Sequence, residues 1–333
     1  MEEIKNILNE NKSLLDNIES MIRNSENIAI MGHVNPDGDC IGSQLGLALA
    51  LRSIGKSVDC INEGAFKTGL KETYEKHFIN DIDKDYDLFI VLDVSNKERM
   101  GALSGKTNFS KTIVIDHHMT NDSFGRLNWV SGFFLSASEM VVLLLMNMNI
   151  DMSRDNISQE LLNGVLSDNG FYQHVRKDKS LSLLITYLLM KDGADPNITY
   201  DMMFRNNSLS NVHMYAMLLG RMQSLYDERV FWTYLTEEDK RKFGNTDFES
   251  ASLFAEMKSI KNFHIGIFFK VYESEGRVDV SFRSIDSVNV ADVAEKLGGG
   301  GHKVAAGVST KGTFPEIKEK VLDLINDLMD KMR

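Results

Sequence analysis

IAIMGHVNPDGDCIGS, residues 28–43, joins an apolar run to a turn dense in acid and imidazole groups. Four consecutive apolar residues, Ile28 to Met31, predict a strand buried on both faces that stops at Gly32-His33. Asn-Pro-Asp-Gly is ordinary turn chemistry. Beyond it Ile41, Leu45, Ala48 and Leu49 share one helical face, which predicts a helix from about Asp39 to Gly55-Lys56. A strand that gives way at once to a helix marks the carboxyl edge of an α/β sheet, where such folds bind ligands. His33, Asp37 and Asp39 fall within seven residues at that edge. Taken alone, the segment reads equally as a turn with Asp39 as a helix N-cap.

Three further segments repeat the pattern. LFIVL (88–92) and TIVI (112–115) are apolar, β-branched runs expected of buried parallel strands, and Val58 to Ile61 is another. Asp93 follows the first run directly, and Asp116-His117-His118 closes the second. Ser167-Asp168-Asn169-Gly170 ends the helix that carries Leu161, Leu162 and Leu166. Each has a plain structural reading: a strand end, a loop triplet, a helix C-terminus with Gly beyond it. A parallel sheet, however, gathers strand ends of one polarity along one edge. Acid and imidazole groups together suit a mixed O/N metal site, and divalent cations relieve the repulsion among so many carboxylates.

The rest of the chain organises around this sheet. Ile4, Leu8, Leu14, Leu15, Ile18 and Ile22 form a helical stripe at the N-terminus. Helices are expected over Glu139–Met148, Ile157–Leu166, Leu181–Met190 and Val212–Leu225. Beyond Glu228 the pattern turns to strands at Val230–Leu235, His264–Tyr272 and Arg277–Phe282, with Glu275-Gly276 as a hairpin turn. The glycine run Gly298–Gly301 follows a short helix, and an amphipathic helix from Phe314 to Met332 ends the chain. The fold expected is α/β: a mostly parallel sheet flanked by helices over 1–190, a helical connector over 191–225, and a smaller α+β domain over 226–333, with the active site in the cleft between the domains.

Charge narrows the function. A net charge of −11 over 333 residues repels polyanions, so a small anionic substrate fits better than long nucleic acid, whose binding draws on clustered cations. Cys40 and Cys60 lack metal-knuckle spacing and form no disulfide framework. The longest apolar stretch, Met140 to Met146, is far short of the ~20 residues a bilayer span needs. The charged N-terminus lacks an apolar signal core, so a cytoplasmic location without membrane attachment is expected.

The ordered series H-x-N-P-D-G-D, strand-D, D-H-H and S-D-x-G, followed by GGGGHKVAAG at 298–307, resembles the DHH phosphoesterase superfamily and its associated C-terminal domain. The likeness spans roughly residues 25–310, and chain length is most similar to the stand-alone nanoRNase/pAp phosphatase branch. The resemblance implies that His33, Asp37 and Asp93 hold one divalent cation and that Asp39, Asp93, His117 and Asp168 hold a second, with Asp93 bridging. It implies Mn²⁺ as the ion, Asp116 buttressing His117, and His118 facing the scissile phosphate. Two departures stand out: SDNG where TDTG is common, and Cys40 where Ala is common. Cys40 is read as a packed thiol in preference to a ligand for a softer metal.

The implied activity is two-metal hydrolysis of short 5′-phosphorylated nucleotides, nanoRNA, pApA or pGpG, and of pAp. A phosphodiesterase acting on the cyclic dinucleotide c-di-AMP is the alternative. An exonuclease on long strands would need a basic channel. A silent nucleotide-binding sensor would have lost a ligand, and every implied position is filled. Substrate contacts are expected from Arg283, which can fork onto a phosphate, from a backbone anion nest at Gly299, Gly300 and Gly301 with His302, and from Asn35. The N-terminal stripe could equally build a homodimer or pack on its own domain.

Overall fold

The computed structural model describes residues 1–64, 66, 68–205, 207–244, 248 and 250–330. The chain divides into two compact units, Met1–Asn206 and Asn207–Arg333. The stretch 191–225, expected as a connector, is thereby split between them. The terminal helix is described to Asp330, so its expected end at Met332 lies outside the described residues.

The first unit opens with helices α1 (Glu2–Glu10) and α2 (Lys12–Arg23), then alternates strands and helices: β1 (Asn27–Met31), α3 (Gly38–Ser53), β2 (Ser57–Ile61), α4 (Thr68–Tyr74), β3 (Phe78–Ile79), β4 (Leu88–Leu92), β5 (Thr112–Asp116), β6 (Leu127–Val130), α5 (Ala137–Asn147), α6 (Ile157–Asp168), α7 (Leu181–Lys191) and α8 (Pro196–Phe204). The strands form a six-stranded, wholly parallel sheet in the order β3-β2-β1-β4-β5-β6. Period-2 alternation sorts its side chains. Leu88, Ile90, Leu92, Ile113 and Ile115 enter the core under α3, α5 and α6, while Phe89, Val91 and Val114 pack on the opposite face with Met100 and Leu103. Both faces are therefore buried, which explains the unbroken apolar runs. The N-terminal stripe breaks at Asn11 into two helices, and Ile4, Leu15, Ile18 and Ile22 are fully buried in this unit's own core.

Helices α3 and α6 approach unusually closely because glycines line the contact. A Cβ on Gly42 would lie 2.5 Å from the Glu160 carbonyl oxygen and 2.7 Å from the Gly164 nitrogen. One on Gly38 would meet Ser167 Oγ at 2.3 Å, and one on Gly164 would meet Ser138 Oγ at 2.0 Å. This contact brings the start of α3, with Asp39, against the end of α6, with Asp168.

The second unit contains α9 (Leu209–Gly220), β7 (Gln223–Leu225), β8 (Val230–Leu235), α10 (Glu237–Lys242), α11 (Ser250–Ser259), β9 (Ile265–Tyr272), β10 (Arg277–Ser284), α12 (Ala291–Lys296), β11 (Gly300–His302), β12 (Ala305–Lys311) and α13 (Phe314–Asp330). Its sheet runs β11-β12-β10-β9-β8-β7, antiparallel except for the β8–β9 pair. Val278, Val280 and Phe282 pack with α12 and α13 on one face, and Phe231 and Phe268 with α9 and α11 on the other. The helix expected to reach Leu225 stops at Gly220, and Gln223–Leu225 is the edge strand β7. Among the described residues no helix is long and apolar enough to cross a membrane.

Since backbone blocks the space beside Gly42, Gly42→Ala should destabilise the protein by about 1–3 kcal/mol through overpacking. The urea midpoint measures this, and an unchanged midpoint would show that α3 and α6 can separate freely.

Candidate metal centre

Asp93 stands at the middle of the sheet's carboxyl edge, one residue past β4, with 3 % of its surface exposed. Its backbone is left-handed, with φ +58°, a conformation that costs a non-glycine residue of order 1–3 kcal/mol and is found where the surroundings over-determine it. The turn aims its two oxygens at different imidazoles. Oδ2 lies 3.4 Å from His33 Nε2, and Oδ1 lies 3.3 Å from His117 Nε2. Neither Asp93 Oδ1 nor His117 Nε2 has a hydrogen-bond partner, although both atoms are buried. Two orphaned buried ligand atoms facing each other at this distance fit an ion between them.

The other sequence-predicted groups surround this pair. His33 Nδ1 sits 2.9 Å from the Val34 carbonyl oxygen, which accepts its proton and turns Nε2 toward Asp93 and toward Asp37 Oδ1 at 3.7 Å. His117 Nε2 is also 3.2 Å from Asp168 Oδ2. Ligand atoms of Asp39, His117 and Asp168 form one group within 4.8 Å of one another, and those of His33, Cys40 and Asp93 form another. Asp37 joins neither group and approaches only His33, and a third group links Asp93 with Asp116, His117 and His118.

Three expectations need correction. The N-cap of α3 is Asp37, whose Oδ1 accepts from the Cys40 N–H at 3.1 Å, and not Asp39. Asp39 instead accepts from the N–H groups of Ala137 and Ser138, at 2.7 and 2.9 Å, in the first turn of α5. It is an anion at the N-terminus of another helix. Asp116 buttresses His118, not His117: Asp116 Oδ1 lies 2.8 Å from His118 Nδ1, while Asn121 Nδ2 donates to Asp116 Oδ2 at 2.7 Å. In extended chain, residues two apart share a face and neighbours do not. The glycine run is not a free nest either. The N–H groups of Gly298 and Gly299 donate to Glu295 and Ala294 carbonyls at the end of α12, and Gly300 and Gly301 pair with β12.

Asn35 is exposed, with φ +55°. Arg283, at the end of β10, donates from Nη1 to its neighbour Phe282's carbonyl at 2.9 Å and lies over the Phe254 ring. His302 is exposed on β11. Both belong to the second unit. The sequence reading missed the α5 N-terminus as a partner of Asp39. Its signal was present in Ser136-x-x-Glu139, a helix-start pattern in which Ser136 Oγ accepts from Glu139 N, while Glu139 Oε2 accepts from Leu135 N, one residue before the N-cap.

Residues 27–167 match the DHH family N-terminal domain and residues 228–331 match the DHHA1 domain. The chain thus carries a DHH domain followed by a DHHA1 domain. A protein of Thermus thermophilus named bifunctional oligoribonuclease and PAP phosphatase NrnA is 28% identical over 90% of this chain and 89% of its own length. One of the same name from Mycoplasma pneumoniae is 26% identical over 92% and 93%. A solved exopolyphosphatase-related protein from Bacteroides fragilis superposes with a TM-score of 0.82 at 25% identity, covering 96% of each chain.

Electrostatics make the DHH cluster demanding without cations. Burial and the Asp93 charge push Asp39 up to about 7, and burial with the charges of Asp39 and Asp93 pushes Asp168 up to about 9. Burial opposes the charge of His117, yet the Asp93 carboxylate beside it wins and raises it to about 10. Asp93 itself is also penalised by burial, but His117 and His33 hold it well below the carboxylate range. A carboxyl raised on folding destabilises the fold progressively as pH climbs above its unfolded value, up to the folded one. A raised histidine contributes stability below pH 6.5 that fades as pH rises toward its folded value. Both effects act in one direction. The chelator-treated protein should therefore lose thermal stability from about pH 4 to pH 10, beyond any change in a variant carrying Asp39→Asn, His117→Gln and Asp168→Asn. Calorimetry with and without Mn²⁺ should show a stabilisation that grows with pH, about 2.7 kcal/mol once the free ion reaches a hundred times its Kd. A cation effect independent of pH would contradict this account.

Proposed function

We propose that the protein is a hydrolase of short 5′-phosphorylated nucleotides, including pAp, that works with two divalent cations, Mn²⁺ foremost. The observation that carries this reading is the bidirectional Asp93 carboxylate, with orphaned ligand atoms on one side and the His33–Asp37 pair on the other. His33, Asp37 and Asp93 would hold one ion, and Asp39, Asp93, His117 and Asp168 the other; hard carboxylates with imidazoles suit Mn²⁺. Bound there, such ions activate water and neutralise phosphoryl charge. The relatives named as oligoribonucleases and PAP phosphatases support the substrate class, and the net charge of −11 supports a short one.

The protein's own groups orient the reaction. Asp116, itself held by Asn121, ties down His118 Nδ1 and leaves Nε2 of this partly exposed ring for a phosphoryl oxygen of the substrate. The α5 N-terminus holds both Asp39 oxygens in place. Arg283 and His302 are the proposed phosphate contacts of the second unit, and Asn35 a further contact in the first. Hydrolysis of pAp then yields AMP and phosphate, and a short RNA yields 5′-mononucleotides.

A panel of pAp, pApA, pGpG, c-di-AMP and a five-nucleotide RNA, each with Mn²⁺, tests the reading. Turnover of pAp and the short linear substrates is expected, lost by at least about 10³-fold in Asp93→Ala, in line with removal of a principal charge-stabilising group. Arg283→Ala should raise KM by about tenfold or more, the loss of a charge-assisted hydrogen bond of roughly 1.5–3 kcal/mol. No turnover of any panel member would overturn the enzyme reading, and turnover of c-di-AMP alone would move the activity to the cyclic substrate.

A further inference from the structure

Cys40 is the residue of the phosphate-ester site that the proposed reaction leaves without a role. It lies in the first turn of α3, directly after Asp39, and is fully buried. Its Sγ belongs to the group formed with His33 and Asp93, whose ligand atoms all lie within 4.8 Å of one another. Ligands on opposite sides of one ion, each about 2.3 Å from it, stand about 4.6 Å apart. The spacing therefore admits a single ion touching all three.

The surroundings of the sulfur are those of a ligand. Gln44 Nε2 donates to Sγ at 3.3 Å, and Asn62 Nδ2 points at it from 3.9 Å. Both amides are held: Gln44 Nε2 also donates to the Cys40 carbonyl at 2.8 Å, and Asn62 Oδ1 accepts the Gly32 N–H at 2.9 Å. These amide donors fix the position and orientation of the sulfur. Gly32 makes the room, because a Cβ there would come within 2.2 Å of Sγ. Asp93, the carboxylate of the group, is 3 % exposed, and the oxygen it turns to this side is Oδ2, 3.4 Å from His33 Nε2. Cys60 offers a contrast within the same chain. It is equally buried, but its thiol faces the Gln44 carbonyl at 3.8 Å and it joins no ligand group among the described residues.

We infer that Cys40 is an additional ligand of the cation held by His33 and Asp93, so that this half of the centre accepts thiophilic dications such as Co²⁺, Zn²⁺ and Cd²⁺ beside Mn²⁺. The thiol proton leaves to solvent as the sulfur–metal bond forms. A soft sulfur beside hard carboxylates shifts preference toward these ions at one position, while the Asp39–His117–Asp168 position keeps only O and N donors. The inference rests on the two-cation reading but not on the identity of the nucleotide.

Titrating Co²⁺ into the cation-free full-length chain reads the ligand directly. Sulfur-to-cobalt charge transfer adds near-ultraviolet absorption that imidazole and carboxylate ligands do not. The band is expected in the wild type and in Cys60→Ala, where Cys40 is the sole thiol, and absent in Cys40→Ala. Elemental analysis should still find two ions per chain in Cys40→Ala, and competition should show Cd²⁺ binding weakened at least about tenfold relative to Mn²⁺. If Cys40→Ala does not fold, the band in Cys60→Ala alone makes the assignment. Two bound Co²⁺ without the band, or a band surviving Cys40→Ala, would overturn the inference. No bound Co²⁺ at all would overturn the two-cation reading with it. A band in a protein that hydrolyses no nucleotide would leave the sulfur ligand standing and remove the substrate reading.

Discussion

Asp93 is nearly sealed from water, and a carboxylate so placed stays ionised only if neighbouring groups supply what water would. Here the neighbours are His33 on one oxygen and His117 on the other. Their positive charge cannot serve Asp93 alone, because Asp37, Asp39 and Asp168 crowd the same imidazoles. The protons on these histidines are therefore shared among more carboxylates than they can balance. The left-handed backbone at Asp93 adds strain to the same point. Divalent cations in place of those protons satisfy the carboxylates and the imidazole nitrogens together, and much else in the first unit serves to make that exchange possible.

Position is delivered by backbone packing more than by the side chains themselves. The parallel sheet sets β1, β4 and β5 side by side, so His33, Asp93 and Asp116 emerge in a row. Asp39 and Asp168 come from helices and would lie too far apart if α3 and α6 packed at the usual 8–10 Å through side chains. Gly38, Gly42 and Gly164 remove those side chains. The α5 N-terminus then fixes Asp39 from behind with two N–H donors, an arrangement that holds an anion without adding a proton that would compete for the metal.

Much of this could be read from the residues alone, and the limits follow physical lines. Strands β4 and β8 have the bounds expected, because an unbroken run of apolar, β-branched and aromatic residues is a plain strand signal. The two-residue β3 and the edge strand β7 left too few residues for any period, and β7 was absorbed into the preceding helix. The candidate cluster was legible because Asp93, Asp116 and Asp168 close elements of clear type, while Asp37 and Asp39 open one. What failed was direction. The family resemblance implied that Asp116 serves His117, but the period of two gives it to His118. A four-glycine run suggested free N–H groups, but the end of α12 already engages those of Gly298 and Gly299, and Gly300 and Gly301 run in register with β12. Long-range partners such as Ala137 for Asp39, ninety-eight residues on, leave no local trace.

The charge of the centre also bears on how large a substrate it suits. Asp37, Asp39, Asp93 and Asp168 bring four negative charges when fully ionised, and two divalent cations bring four positive ones. Loaded as proposed, the site would be close to neutral before any substrate arrives, and its attraction for phosphate would be local, felt at contact distance and not as a field. Each further phosphate of a longer chain would meet a protein of net charge −11. A neutralised cluster within an acidic protein would therefore favour a substrate with few phosphates.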